Sequence, residues 1–119
     1  MAICGNYSEK KAEKYSELAK QIKGIVQENY HDSSLNSQRI ADMIQMNNAY
    51  LGRMFKNSYG RSINDYINTC RLEESMRLLR QTDMSVEEIA QNVGFSNIKY
   101  FYVLFKKLTG ITPATYRAG

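Results

Sequence analysis

The sequence predicts an all-α fold of about seven helices, which form two helix-turn-helix subdomains joined by a long connecting helix. Two observations favour this fold class. Apolar residues recur at spacings of three and four along most of the 119 residues, and no segment alternates convincingly as a half-buried strand. In addition, the second half of the chain repeats the helix and glycine pattern of the first half. We therefore expect one all-α domain over residues 10–119.

The first predicted helix is amphipathic and spans about residues 10–30. The apolar residues that give it a helical period are Tyr15, Leu18, Ile22, Ile25 and Val26. Residues 1–9 show no such period, and we expect them to form a flexible leader. The polar residues 31–34 end the helix.

The first helix-turn-helix unit is predicted over about residues 36–60. Asn36 is a good N-cap for a short helix, and Asn47 is a good N-cap for the helix that follows. Gly60 is placed to end this second helix, because glycine readily adopts the left-handed conformation of a helix C-terminus. Its apolar stripe consists of Leu51, Met54 and Phe55.

The connecting helix is predicted over about residues 62–80. Ser62 and Asp65 have the spacing of a capping box at its start. The residues that we expect to face inward are Ile63, Tyr66, Ile67, Cys70, Met76 and Leu79. About 18 residues at a rise of roughly 1.5 Å per residue give a helix about 27 Å long.

The second helix-turn-helix unit is predicted over about residues 85–110. Ser85 opens its first helix, Gly94 closes it, and Ser96 or Asn97 caps the next helix, which ends at Gly110. The residues expected to be buried by this next helix are Phe101, Leu104, Phe105 and Leu108. Thr112 and Pro113 then cap a last short helical turn.

An internal repeat shows which residues of the two helix-turn-helix units correspond to each other. The segment 50–66 overlies 100–116 at a constant offset of 50, with Tyr, Phe, Lys, Gly and Tyr recurring at matching positions. Upstream, the segment 36–41 overlies 85–90 at an offset of 49. The change of offset places a one-residue difference in length in the turn between the two helices of each unit.

Charge is unevenly distributed along the chain. The net charge of +4 consists of 0 for residues 1–36, +2 for residues 37–60, −2 for residues 61–94 and +4 for residues 95–119. Positive charge therefore concentrates in two segments, 37–60 and 95–119, with an acidic stretch between them, which is the pattern expected if two surfaces meet a polyanion and the connector does not.

Other classes of function have little support in the sequence. Cys4 and Cys70 lie far apart without a second ligand at metal-binding spacing, and His31 is the sole histidine. We therefore predict no enzyme activity, no metal and no cofactor, and we expect reduced thiols. No apolar run approaches the length of a membrane span, so we expect a cytoplasmic protein without a membrane partner.

The second helix of a helix-turn-helix unit presents to DNA the face that it does not bury. In the first unit this face holds Ala49, Gly52 and Arg53, of which Arg53 alone is a long hydrogen-bond donor. In the second unit the outward residues are Ile98, Lys99, Tyr102 and Val103. The groups that we assign to phosphate contacts are Asn47, Lys56, Asn97, Lys106 and Lys107; the alternative for the lysines is a solvated charge near a helix end.

This pattern resembles the C-terminal DNA-binding domain of the AraC/XylS family of bacterial transcription regulators. The strongest similarity covers residues 89–117, which read IAQNVGFSNIKYFYVLFKKLTGITPATYR. The first unit, residues 40–67, and the connecting segment 71–79 also look like the family's corresponding segments.

The resemblance implies that the outward residues of both units face DNA bases. Val103 departs from the polar residue or arginine often found at its site, and Gly52 is smaller than usual. This departure favours apolar contacts with thymine methyl groups and readout of DNA shape. The resemblance further implies transcription regulation, activation more than repression, an N-terminal sensor or receiver domain outside this sequence, and RNA polymerase as a partner.

The length of the connecting helix favours binding in two adjacent major grooves of double-stranded DNA, at one asymmetric site of about 15 to 20 base pairs. Two alternatives stay open. The chain is a free-standing small activator of the same fold, or it is a helical protein-interaction module whose basic faces bind an acidic protein. A steep loss of DNA affinity with salt separates DNA binding from the latter.

Overall fold

The computed structural model describes the backbone of residues 2–119 and the side chains of residues 15–119. Over this part of the chain the regular structure is entirely helical, as predicted. The seven helices are α1 (Ala2–Asn29), α2 (Ser37–Met43), α3 (Asn48–Tyr59), α4 (Ile63–Gln81), α5 (Val86–Asn92), α6 (Ile98–Thr109) and α7 (Pro113–Ala118).

Helix α1 extends further toward the N-terminus than the apolar period predicts, since it begins at Ala2. The predicted apolar stripe is confirmed in part: Ile22 and Val26 are fully buried, whereas Tyr15, Leu18 and Ile25 are partly buried, and Ala19, one turn before Ile22, is buried as well. The flexible leader predicted over residues 1–9 concerns residues whose side chains lie outside the described part, and it stays a prediction.

The chain divides into two compact units, of which the first comprises Met1–Glu28 and Asn36–Tyr66. Aromatic rings organise part of its core. The Phe55 ring lies 6.0 Å from the Tyr66 ring and 5.5 Å from the Tyr59 ring, measured between centroids. Phe55 is fully buried, so this ring cluster fixes the end of α3 within the first unit.

The second unit comprises Asn29–Leu35 and Ile67–Gly119. Its core is formed by Leu72, Leu79, Ile89, Ala90, Val93, Phe95, Phe101 and Phe105. The prediction that Leu108 is buried is wrong, because this side chain is 48% exposed. Leu108 follows the helical spacing of the stripe but belongs to the last turn of α6, beyond the core residues that cover Phe101 and Phe105.

Helix α4 begins and ends within one residue of the predicted bounds, and the Ser62 hydroxyl accepts a hydrogen bond from the Asp65 amide at 3.0 Å. Two of its predicted inward residues, Cys70 and Met76, are only partly buried. Leu72 and Ser75 are buried instead. The Ser75 hydroxyl donates to the Leu72 carbonyl at 2.6 Å, which satisfies this polar group inside the core.

Candidate nucleic-acid interface

The turns of the two helix-turn-helix units have the same hydrogen-bond pattern. In the first turn the Met46 amide donates to the Ala41 carbonyl at 2.9 Å, and in the second turn the Phe95 amide donates to the Ala90 carbonyl at the same distance. Both pairs are related by 49 residues. The first turn has four residues between its helices and the second has five, which confirms that the one-residue difference lies in the turn.

Each turn contains one residue with positive φ at the equivalent position. This residue is Gly94 in the second turn, with φ of 111°, and Gln45 in the first turn, with φ of 58°. A positive φ is unfavourable for a residue with a Cβ atom, so the first turn holds some strain that glycine avoids in the second. In both turns, therefore, a residue with positive φ changes the direction of the backbone before the second helix, α3 or α6, begins.

Caps define both ends of the two recognition helices, as predicted. The Asn47 side-chain oxygen accepts from the Tyr50 amide at 3.0 Å, and the Asn97 oxygen accepts from the Tyr100 amide at 3.2 Å. Gly60 and Gly110 both adopt the left-handed conformation at the C-terminal ends. Because the caps use only the oxygens of the asparagine amides, their NH₂ groups are still able to donate to a phosphate.

Helix α3 buries one stripe and exposes the opposite face. The buried residues are Leu51, Met54 and Phe55. Ala49, Arg53 and Lys56 are exposed, and Gly52 is partly exposed. An added Cβ atom at Gly52 would meet no atom within 4 Å, so the surface beside Arg53 is open to a large ligand.

Helix α6 has the same design with a more apolar outer face. Phe101 and Phe105 are buried, whereas Val103 is 63% exposed. The other exposed side chains among the predicted contacts are Lys99, Tyr102, Lys106 and Lys107. Ile98 differs from the prediction, because it is partly buried against the core of the second unit. It lies at the edge of the outer face, which is centred on Lys99 and Val103.

A buried arginine supports the second turn, and sequence reasoning missed it. Arg71 donates from Nε to the Tyr30 carbonyl at 2.6 Å and from Nη2 to the Asp32 carbonyl at 2.9 Å. Its guanidinium carbon lies 5.7 Å from the Phe95 ring centroid, and an added Cβ atom at Gly94 would lie 2.7 Å from its Nε. Burial lowers the pKa of the Arg71 guanidinium. The sequence places Arg71 on a helix rich in charge, where nothing distinguishes it from a solvated residue.

Arg117 is a second arginine with a structural contact. It donates to the Leu79 carbonyl at 3.0 Å and to the Thr82 carbonyl at 3.2 Å. These carbonyls lie at and just beyond the last turn of α4, where a cation also complements the helix dipole. Arg117 therefore contributes less to the basic surface of residues 95–119 than its sequence position indicates, and Lys99, Lys106 and Lys107 are the exposed cations of this segment.

Other kinds of site find no support in the part of the chain whose side chains are described. No group of three His, Cys, Asp or Glu residues there is placed to hold a metal ion. No helix in this part is both long and apolar enough to cross a membrane. Cys70 is a partly buried thiol, and His31 lies in the loop after α1, where its ring meets the Tyr30 ring edge to face.

Both the sequence and the fold are similar to those of known proteins. The sequence profile of the family described as "Helix-turn-helix domain" matches residues 40–119. Among curated proteins, the chain is 45% identical over 78 residues to the uncharacterized transcriptional regulatory protein YesN of Bacillus subtilis. That similarity covers 64% of this chain and 21% of YesN, so the chain spans about a fifth of the length of this relative.

Two solved structures show the same architecture. The C-terminal domain of AraT, a response regulator from Geobacillus stearothermophilus, has a TM-score of 0.82 at 30% identity, covering 85% of this chain and 84% of that domain. The DNA-binding domain of AdpA, a global transcriptional factor solved in complex with a target DNA, has a TM-score of 0.78 at 26% identity, covering 84% and 89% respectively.

Proposed function

Because this chain belongs to the AraC/XylS family of transcription regulators, we propose that it binds one specific double-stranded DNA site through α3 and α6 and so regulates transcription. The observation that carries the proposal is the duplicated recognition helix. Each copy is capped by asparagine and glycine, buries one stripe, and exposes an outer face on which the charged residues are basic. Such a face suits the major groove of double-stranded DNA, which is a polyanion.

In the first unit, Arg53 reads a base. Its side chain is exposed beside the open surface at Gly52, so the guanidinium is free to enter the groove. Two parallel N–H groups of arginine match the O6 and N7 acceptors of guanine. Ala49 and Gly52 are too small to donate hydrogen bonds, and they allow the helix to approach the base edges closely.

In the second unit, apolar contact takes a larger part. Val103 occupies the position equivalent to Arg53 and offers two methyl groups to the groove. Thymine is the base that presents a methyl group there, so Val103 favours a thymine. Lys99 and Tyr102 add hydrogen-bonding groups on either side, and Ile98 contributes at the edge of this face.

Phosphate contacts hold both helices in register. Lys56 and Lys106 are equivalent residues in the last turns of α3 and α6, and Lys107 follows directly. Asn47 and Asn97 lie at the opposite ends of these helices, where their NH₂ groups donate. Contacts at both ends of a recognition helix fix its position in the groove without reading sequence.

The two units together read an asymmetric site in two adjacent major grooves, because their base-facing residues differ at every position. We further propose that the chain is the output domain of a larger cytoplasmic regulator with an N-terminal sensor or receiver domain. This regulator associates with the nucleoid and activates transcription through RNA polymerase. The similarity covers only 21% of the relative YesN, and this supports the proposal that the regulator contains a further domain.

Binding measurements with Arg53 variants test this function. Arg53→Ala is expected to weaken binding to the specific site by about 1–3 kcal/mol and to relax base preference at one position. Arg53→Lys is the matched control: it keeps the charge but loses the bidentate geometry, so it should also lose the base preference. Affinity of the unchanged protein should fall steeply with salt, because bound phosphates release counterions. Failure to bind any duplex at low salt would contradict the proposal.

A further inference from the structure

Tyr100 lies beside the outer face of α6 and is held by a residue of another helix. Its hydroxyl oxygen accepts a hydrogen bond from the side-chain NH₂ group of Asn68, on α4, at 3.3 Å. The Tyr100 side chain is nevertheless 47% exposed. Both residues belong to the second compact unit, Asn29–Leu35 and Ile67–Gly119, so the contact lies within that unit.

The direction of this hydrogen bond determines what the hydroxyl is able to do. A tyrosine hydroxyl has one hydrogen to donate and accepts through its lone pairs. Because Asn68 is the donor, the hydrogen of Tyr100 is not used in this contact. Among the residues with described side chains, no acceptor for it is found. The hydroxyl therefore presents a donor to the solvent.

The ring position is also fixed. The Tyr100 ring meets the Phe95 ring nearly edge to face, with centroids 6.3 Å apart, and Phe95 is buried in the core of the second unit. Two contacts, one at the ring and one at the hydroxyl, thus restrict the side chain before any ligand arrives. A donor that is already oriented loses less entropy when it binds.

The location of Tyr100 favours one kind of acceptor. It lies in the first turn of α6, three residues before Val103, so the two side chains are neighbours on the helix surface. The N-terminal part of a recognition helix enters the groove, and the phosphates of the groove wall flank it. A fixed, outward O–H group at the margin of the base-reading face suits a phosphate oxygen.

We propose that the Tyr100 hydroxyl donates a hydrogen bond to a phosphate of the DNA backbone and that Asn68 is its positioning residue. This inference rests on the proposed function, and it brings α4 into DNA recognition through Asn68. Because the donor is neutral, the contact adds affinity without counterion release. It therefore differs from the lysine contacts in a measurable way.

The first test removes only the hydroxyl. Tyr100→Phe is expected to weaken binding about tenfold on specific and random duplexes alike, as for a lost hydrogen bond to a charged acceptor. The slope of log affinity against log salt should stay unchanged, whereas Lys106→Ala should reduce it. Tyr59→Phe, which removes an exposed tyrosine hydroxyl from the first unit, is the matched control and should bind normally. Normal binding by Tyr100→Phe would overturn the inference.

A second test identifies the acceptor. Single phosphates of the bound duplex are replaced in turn by neutral methylphosphonates. At one position the replacement should weaken binding by the unchanged protein but have little further effect on Tyr100→Phe, because the same contact is already lost. Equal sensitivity of both proteins at every phosphate would show that Tyr100 contacts none of them.

A third test reverses the polarity of the positioning contact. Asn68→Asp replaces the donor by an acceptor, so the Tyr100 hydroxyl should donate to the new carboxylate and lose its phosphate. This variant should bind at least as weakly as Tyr100→Phe, and Asn68→Ala should lose less. Normal binding by Asn68→Asp would overturn the role of Asn68. Binding of the unchanged protein to duplex DNA separates these outcomes from a failure of the proposed function itself.

Discussion

Arg53 and Val103 occupy the same position of the two recognition helices, fifty residues apart, and offer different chemistry to DNA. Arg53 is a charged, bidentate donor on an open surface, whereas Val103 is apolar and 63% exposed. An apolar side chain that is so exposed contributes little hydrophobic stabilisation to the unbound protein. On the proposed function, DNA binding buries Val103 against the methyl group of a thymine in the major groove.

Replacing thymine by deoxyuracil tests the contact of Val103, because it removes one methyl group and leaves the hydrogen-bonding pattern intact. We expect one such replacement in the half-site of the second unit to weaken binding about fourfold, the effect of burying about one methyl group. Val103→Ala should be insensitive to this replacement. If the unchanged protein tolerates deoxyuracil at every position of that half-site, Val103 does not read thymine.

Gly94 combines a positive φ with close contacts at the position where a Cβ atom would lie. Its φ of 111° and the close approach of the Tyr30 carbonyl oxygen and of Arg71 Nε both exclude a side chain. Gly94→Ala should therefore lower the free energy of unfolding by about 2–4 kcal/mol, measured by urea titration and by faster hydrogen exchange of α6 amides. Gly110→Ala is the control, because Gly110 has a positive φ but open space around it, and about 1 kcal/mol is expected. Equal losses would mean that the close approach of Tyr30 and Arg71 to Gly94 contributes nothing.

At the scale of elements, the two turns have the same hydrogen-bond pattern but place different residues at the position with positive φ. Gln45 adopts the positive φ that Gly94 adopts in the second unit. Gln45→Gly should raise the free energy of unfolding by about 0.5–1 kcal/mol by removing this strain. The same change at Gln91, inside α5, should lower it by about 1 kcal/mol, since glycine is unfavourable within a helix. Urea titration measures both, and a loss of stability in Gln45→Gly would show that the turn is not strained.

The elements whose boundaries depend on local signals could be predicted from the sequence. Asn36, Asn47 and Ser85 cap the helices that they were expected to cap, because a cap requires only a side chain and an amide three residues apart. The difference of one residue between the two turns also follows from the repeat alone.

Burial at the ends of elements could not be predicted in the same way. Leu108 follows the buried period yet is exposed, and Ile98 was expected to face outward yet is partly buried, because the extent of the core decides this and not the spacing. Arg71 was missed for a related reason. Its partners are backbone carbonyls about forty residues away, and a carbonyl has no signature in the sequence.

At the scale of the whole molecule, the two helix-turn-helix units differ in the surface that each exposes. A twofold-symmetric partner would require identical recognition surfaces, whereas this chain carries two different ones on a single polypeptide. One protomer should therefore read a site without internal symmetry. On the proposed function, we expect more phosphate contact from the second unit, because residues 95–119 carry a net charge of +4, and more base reading from the first unit, through Arg53.

Selection of bound sequences from a random duplex pool tests this central claim most directly, since it reports binding, site length and symmetry together. We predict one asymmetric site of about 15 to 20 base pairs, with two blocks of base preference centred about one helical turn apart. Selection with Arg53→Ala should weaken the preference in one block and leave the other. A palindromic site, a single block, or an equal effect of Arg53→Ala on both blocks would contradict the account.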